Sequence, residues 1–163
     1  MKNKIFLLWF AILCLLFWDS DSAFSCKCAP FPLANRLNST DAIFSGKTVK
    51  VKFLDSPKQN SPEPRIIVTF DVYRFWKGPV GKRFILYTVA NKWSCDGFGF
   101  REGSEYLVFA YNYTQESKID RLIKFDFSAF GKDIFGTSLC NGTKLLSDAQ
   151  EELKELGPGQ TPK

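Results

Sequence analysis

Histidine is missing from all 163 residues. Its absence removes the Ser-His and Cys-His nucleophile pairs, the histidine-based zinc signatures and the commonest general base. The carboxylates are spread through turns and the last predicted helix, and no two stand out as a glycosidase-like pair. An enzyme is therefore not expected. Long apolar runs are scarce as well. The one sustained run, Ile5 to Trp18, covers fourteen residues, short of the ~20 that cross a bilayer. Cysteine is limited to five residues and no segment repeats internally, so one domain is expected at this length.

Lys2 and Lys4 precede the apolar run, and the polar stretch DSDSAFS follows it. Ala23 and Ser25 then occupy the −3 and −1 positions of a cut before Cys26, the anatomy of a secretory signal peptide. Residues 1–25 are expected to be removed, leaving a secreted, extracellular protein that begins at Cys26. A bacterial lipoprotein signal would also make Cys26 the first residue, but Ala23 and Phe24 suit its acceptor sequence less well. Cys14 leaves with the apolar run. The mature chain keeps Cys26, Cys28, Cys95 and Cys140, an even set suited to disulfides in an oxidising compartment. A Cys26-to-Cys28 bridge would demand a strained small ring, which leaves two pairings. Both tie the N-terminal segment to the middle and the later part of the chain. Each bridge closes a loop of roughly 70 residues or more, worth ~4 kcal/mol in the chain-entropy model.

The formal net charge is +5. A mildly basic secreted protein can meet acidic glycans, but a solvated basic face is the plainer reading of Lys47, Lys50, Lys52, Lys77, Lys82 and Arg83. Asn38, Asn112 and Asn141 each head an Asn-x-Thr/Ser triplet and are candidate glycosylation acceptors.

Pro30 to Thr40 reads as a loop followed by a short helical turn. TVKVKF then alternates, with Val49, Val51 and Phe53 one way and Lys50 and Lys52 the other, as a half-buried strand does. SPKQNSPEP is too polar for a core and reads as a connection. RIIVTFDVYRFW places Ile66, Val68, Phe70 and Val72 on one face of a long strand, and RFILYTV, EYLVFAYNY and RLIKFDF supply three more. Five strands divided by Gly/Pro/Asn turns, with no helix between them, predict a mainly β, antiparallel barrel or sandwich. A helix comes last: Ser147 and Gln150 form a capping box, Ala149, Leu153 and Leu156 an apolar face, and Gly157-Pro158 a stop. The domain is expected to span residues 26–157, with residues 158–163 a disordered tail.

The N-terminus is where chemistry remains. A free Cys26 carries an α-amine with a reference pKa near 8 and a carbonyl close enough to share one cation in a five-membered chelate. Disulfides at Cys26 and Cys28 and the fixed φ of Pro30 would hold this end rigid, which lowers the ordering cost of binding. Such a wedge suits an open zinc site, where it would displace the nucleophilic water of a metalloprotease.

The chain resembles the tissue inhibitors of metalloproteinases, within the netrin-like modules. The resemblance runs through CKCAP, DAIFSGKTVKV, VTFDVYRFWKG, YTVANKWSCDGFGFREGSEYLVFA and SLCNGTKLLSDAQ, essentially the whole mature chain. It implies a disulfide-stapled, five-stranded barrel of the oligonucleotide/oligosaccharide-binding (OB) type, with bridges Cys26–Cys95 and Cys28–Cys140. It implies further that Cys26 chelates the catalytic zinc of a bound protease and that Lys27 points toward the adjoining specificity pocket. Cys28, Ala29 and Pro30 would follow the cleft, and Trp93 and Ser94 would add a second ridge. The zinc would be the partner's, with no cofactor of the chain's own, no nucleic acid among the partners, and a monomeric inhibitor. Lys27 departs from the small Ser or Thr usual at the second mature position, and an ammonium entering an apolar pocket would shift selectivity. Leu37 stands near a position where vertebrate members carry another cysteine. Binding that depends on the family's cysteine-rich second domain is not expected of this chain. The alternative function is a non-inhibitory netrin-like module that binds matrix, glycan or receptor through its barrel.

Overall fold

β1, Ala42–Phe53, is the strand on which the barrel closes. It pairs antiparallel with β2 (Arg65–Lys77) on one side and with β4 (Glu105–Asn112) on the other. β2 pairs with β3 (Arg83–Val89), β3 with the short β5 (Phe135–Gly136), and β5 returns to β4. The ring therefore runs β1-β2-β3-β5-β4-β1, and β6 (Lys144–Leu145) adds to β4 outside it. This computed structural model describes residues 28–54, 64–90, 97–113 and 133–163. The segment 121–127, expected as a strand, and the connection 55–63 lie outside the described residues, as does the apolar run Ile5 to Trp18.

The fold is mainly β and OB-like, as expected, with one exception to the antiparallel rule. β3 and β5 are parallel. Strand direction cannot alternate all the way round a ring with an odd number of members, so one parallel pair is unavoidable. It falls where the pairing is shortest, at Tyr87↔Gly136.

Aromatic side chains fill the interior, one from each strand of the ring. Phe135 of β5 meets Phe84 of β3 (5.1 Å between centroids), Phe84 meets Phe44 of β1 (4.7 Å), and Phe44 meets Phe70 of β2 (5.3 Å). Phe100 then links Phe70 to Tyr106 of β4 at 5.2 and 4.9 Å. The pairs are tilted or edge-on, worth ~0.5–1.5 kcal/mol each beyond simple burial. On β2 the expected inward face, Ile66, Val68, Phe70 and Val72, is buried as read from the alternation.

The alternation expected of TVKVKF fails at Val49. The register passes from Thr48↔Phe70 to Lys50↔Thr69, so Val49 is the extra residue of a bulge. Thr48 is buried instead, Val49 is 39% exposed, Phe53 at the strand end is 59% exposed, and only Val51 packs on the core. The strand also starts earlier than TVKVKF, at Ala42, because this stretch is covered on both faces. Ala42 and Phe44 point into the barrel, while Ile43 joins Leu33, Leu107, Phe109 and Ala149 in a second cluster. That cluster lies beneath two short helices, α1 (Leu33–Ser39) and α2 (Gln150–Leu156).

The C-terminal region differs from expectation twice. Ser147 and Gln150 make no capping box, because Leu146–Asp148 is a 3-10 turn and the helix starts only at Gln150, with Ala149 at its cap. Ser147 Oγ donates to Asp148 Oδ1 (2.8 Å), and Gln150 Nε2 donates to the Leu146 carbonyl (3.3 Å). The apolar face is as read: Ala149 is buried, and Leu153 and Leu156 pack beside it. The residues after Gly157, expected to be disordered, are docked. Gln160 exchanges both backbone hydrogen bonds with Phe75, at 2.7 and 2.9 Å, and Arg74 Nη1 donates to Thr161 Oγ1 at 2.9 Å. Trp76 Nε1 donates to the Gly157 carbonyl (3.0 Å), and Pro162 is buried. The reason is a length mismatch: the β2–β3 pairing ends at Asp71↔Arg83, and the rest of β2 has an open edge for the tail to fill. Gly159, at φ +63°, lies so close to Trp76 that a Cβ would come within 2.9 Å of the indole.

Candidate functional site

Cys28, Ala29 and Pro30 are exposed and lead through Phe31, 40% exposed, to Pro32 at the start of α1. Cys28 is bridged to Cys140, with 5.1 Å between the Cα atoms. This is one of the two pairings that the cysteine spacing left open, and the one the resemblance implied. Cys26, Lys27, Trp93, Ser94 and Cys95, and with them the Cys26–Cys95 bridge, lie outside the described residues.

The far end of the bridge is anchored by a buried polar cluster. Cys140 sits in a 3-10 turn, Leu139–Asn141. β4 pairs with β5 at Tyr111 and Asn112 and with β6 at Tyr106 and Leu107, which leaves the amide and carbonyl of Phe109 in the gap between them. Buried backbone groups need partners, and side chains supply them. Phe109 N–H donates to Thr143 Oγ1 (3.0 Å), while Thr137 Oγ1 (2.8 Å) and Asn141 Nδ2 donate to the Phe109 carbonyl. Asn141 Nδ2 also donates to Thr137 Oγ1 (2.7 Å), and Thr143 N–H donates to Asn141 Oδ1 (3.2 Å).

This geometry changes how the three Asn-x-Thr/Ser triplets are read. Asn141 is 2% exposed and its amide is committed inside, as is the hydroxyl of Thr143. A glycan on that nitrogen would break this buried hydrogen-bonded cluster, so the acceptor reading of Asn141 does not suit the folded protein. Asn112 is half-buried, with its amide donating to Asp133 Oδ1 (3.2 Å). Asn38 is exposed on α1.

α1 is held from several sides. Leu33 and Leu37 pack in the second cluster, so Leu37 makes an apolar contact there. Lys77 Nζ donates to the Leu37 carbonyl (2.7 Å) at the helix end. Arg36 lies over the Phe109 ring, with Cζ 5.2 Å from its centroid, and pairs with Glu152 of α2 at 3.5 Å. Lys144 Nζ donates to the same carboxylate oxygen. Burial by itself would raise the Glu152 carboxyl. The Lys144 hydrogen bond, the helix backbone and the two cations outweigh it and hold the group below its ordinary value. No motif marked Arg36 or Glu152 in the sequence; their separation of 116 residues places the pairing beyond any local pattern.

The outer face of the barrel carries a row of alternating charge. Arg83, Asp71, Lys47 and Glu105 stand in register across β3, β2, β1 and β4. Arg83 Nε pairs with Asp71 Oδ1 at 3.3 Å, and Tyr73 Oη donates to Glu105 Oε1 at 2.8 Å, which raises the phenol above its usual value. With Lys77 spent on α1, the six basic residues do not merge into one unopposed stripe. Among the described residues no group of three or more Cys, Asp or Glu could hold a metal ion.

No protein-family model matches the chain, and no curated protein matches it. The fold and site define a class by themselves: an OB-like barrel bearing an exposed segment, residues 28–31, stapled by a disulfide.

Proposed function

We propose that the protein is a secreted inhibitor of zinc metalloproteases that acts by inserting its N-terminal segment into the protease cleft. The observation that carries this reading is the presentation of Cys28, Ala29 and Pro30. They are exposed, yet tied through Cys140 to a turn that is locked onto β4 by buried hydrogen bonds. An exposed segment pinned at one point suits a substrate-like plug, since less ordering remains to be done on binding. In this mechanism the α-amine and carbonyl of Cys26 take the position of the zinc-bound water in the partner enzyme, removing its nucleophile. The amine binds as the neutral base, so inhibition weakens as pH falls below the α-amine's own range. Lys27 selects among proteases by what its ammonium meets in the neighbouring pocket.

The test is a titration of mature protein, verified by mass to begin at Cys26, against a panel of zinc metalloprotease catalytic domains. A second protein carries one additional alanine before Cys26. The extension is expected to weaken inhibition ~100-fold or more, equivalent to ~2.8 kcal/mol, with the unfolding midpoint unchanged. Equal inhibition by both proteins would rule out chelation. No inhibition by either would turn the reading to a non-inhibitory module that binds matrix, glycan or receptor through the barrel.

A further inference from the structure

We propose that Arg36 is the positioning residue of the N-terminal segment: a clamp between α1, the disulfide-bearing turn and α2 that sets the direction in which residues 28–31 leave the barrel. Its consequence for inhibition rests on the function proposed above; the clamp itself does not.

The need for such a residue follows from what else holds the segment. The Cys28–Cys140 bridge is a tether at one point, and rotation about its single bonds leaves direction open. The other end of the segment runs into α1, seven residues long and without a side-chain cap at its start. A helix this short does not stand by itself in water, so its orientation must come from tertiary contacts. Leu33 and Leu37 provide apolar ones, which are non-directional.

Two side chains provide directional ones: Lys77, at the Leu37 carbonyl of the helix end, and Arg36. The Arg36 side chain is only 13% exposed, and both Nη atoms face Glu152 Oε1 at 3.5 Å. The guanidinium lies over Phe109 of β4 and across Gly142, where a Cβ would come within 2.3 Å of Nη1. One side chain of α1 thus touches β4, the turn that follows Cys140, and α2. Lys144 approaches the same carboxylate from β6, so Glu152 is shared by two cations.

The chemistry is unusual for a residue kept for stability alone. Burying a cation is costly unless its donors are satisfied, and an apolar residue of similar size often serves a core better. Here Arg36 Nε is buried without a partner among the described residues. The arrangement gives up part of the hydrogen bonding and keeps a fixed fork geometry, which an aliphatic side chain cannot supply.

The experiment compares the full mature chain with Arg36→Met, which keeps the apolar stem, with Arg36→Lys, and with Glu152→Gln, which leaves Arg36 in place. Amide hydrogen exchange is followed by mass spectrometry in peptides covering 33–40 and, as internal reference, in β2. Arg36→Met and Glu152→Gln are expected to speed exchange in α1 by ~10-fold or more, with β2 within about twofold of wild type, because local opening is separable from global unfolding. Arg36→Lys should recover part of the protection, and inhibition should weaken in step with α1 exchange. Unchanged α1 exchange in both Arg36→Met and Glu152→Gln overturns the clamp. Should Arg36→Met fail to fold, Glu152→Gln decides on the same peptides. If wild type inhibits no protease while α1 exchange still responds, the clamp stands and the proposed function falls.

Discussion

Asn141 shows how one residue type can satisfy a sequence motif and a structural need that exclude each other. Asn-Gly-Thr has the form of a glycosylation triplet, but the Asn amide and the Thr hydroxyl both face the unpaired backbone of Phe109. Gly142 between them adopts φ +98°, a conformation that favours glycine. Replacing Thr143 by Val keeps the shape but removes the acceptor for the Phe109 amide. A buried donor left unpaired costs about 1–3 kcal/mol, so Thr143→Val should lower the urea midpoint accordingly. Thr143→Ser, which retains the oxygen, should recover much of the loss. Equal midpoints for Val and wild type would mean that the Phe109 amide finds another partner. Nothing in the local sequence distinguishes this triplet from the one at Asn38, because what decides it is a gap in the pairing of a strand more than thirty residues away.

Elements in this barrel are ended or extended by their neighbours. β2 outruns β3, and the tail after Gly157 completes its open edge through Gln160. The stretch GPGQTPK has the composition of a disordered end, and its polar character remains correct for most of its residues. Its docking depends on two backbone hydrogen bonds and on the Trp76 ring, partners that lie far away in the chain. Removing residues 158–163 should expose Trp76 and shift its fluorescence emission to the red. The expected loss of stability is ~1–3 kcal/mol, from two net backbone bonds. Exposing the β2 edge should also raise the tendency to associate. Unaltered emission and an unaltered midpoint would show that the docked tail contributes nothing. The bulge at Val49 is the same lesson within a strand. TVKVKF alternates perfectly, and only pairing with β2 reveals that one residue is left over.

At the scale of the whole molecule, the disulfide joins positions 112 residues apart. In the chain-entropy model a loop of this length is worth ~5 kcal/mol, a large share of the ~5–15 kcal/mol typical of a domain. The Cys28→Ser, Cys140→Ser double variant should therefore unfold at a markedly lower denaturant concentration. A loss smaller than ~1 kcal/mol would mean that the unfolded chain is already compact or that the bridge is offset elsewhere. Because Cys28 borders the exposed segment, the same variant should lose protection in α1 before it loses the aromatic core. The core has its own source of order in the chain of rings from Phe135 to Tyr106.

The amino-acid sequence alone determined the mainly β class, the inward face of β2, the apolar face of α2 and the exclusion of histidine chemistry. These are properties of composition and of short-range periodicity, which depend on neighbours two to four residues away. The tertiary structure alone decided the parallel β3–β5 pair, the bulge at Val49, the role of Asn141 and Thr143, the docked tail and the Arg36–Glu152 contact. Each of these answers a requirement set by a distant segment: ring closure with an odd number of strands, an unpaired backbone group, or a charge brought out of water. Such requirements exist only once the chain has folded, so no local pattern records them.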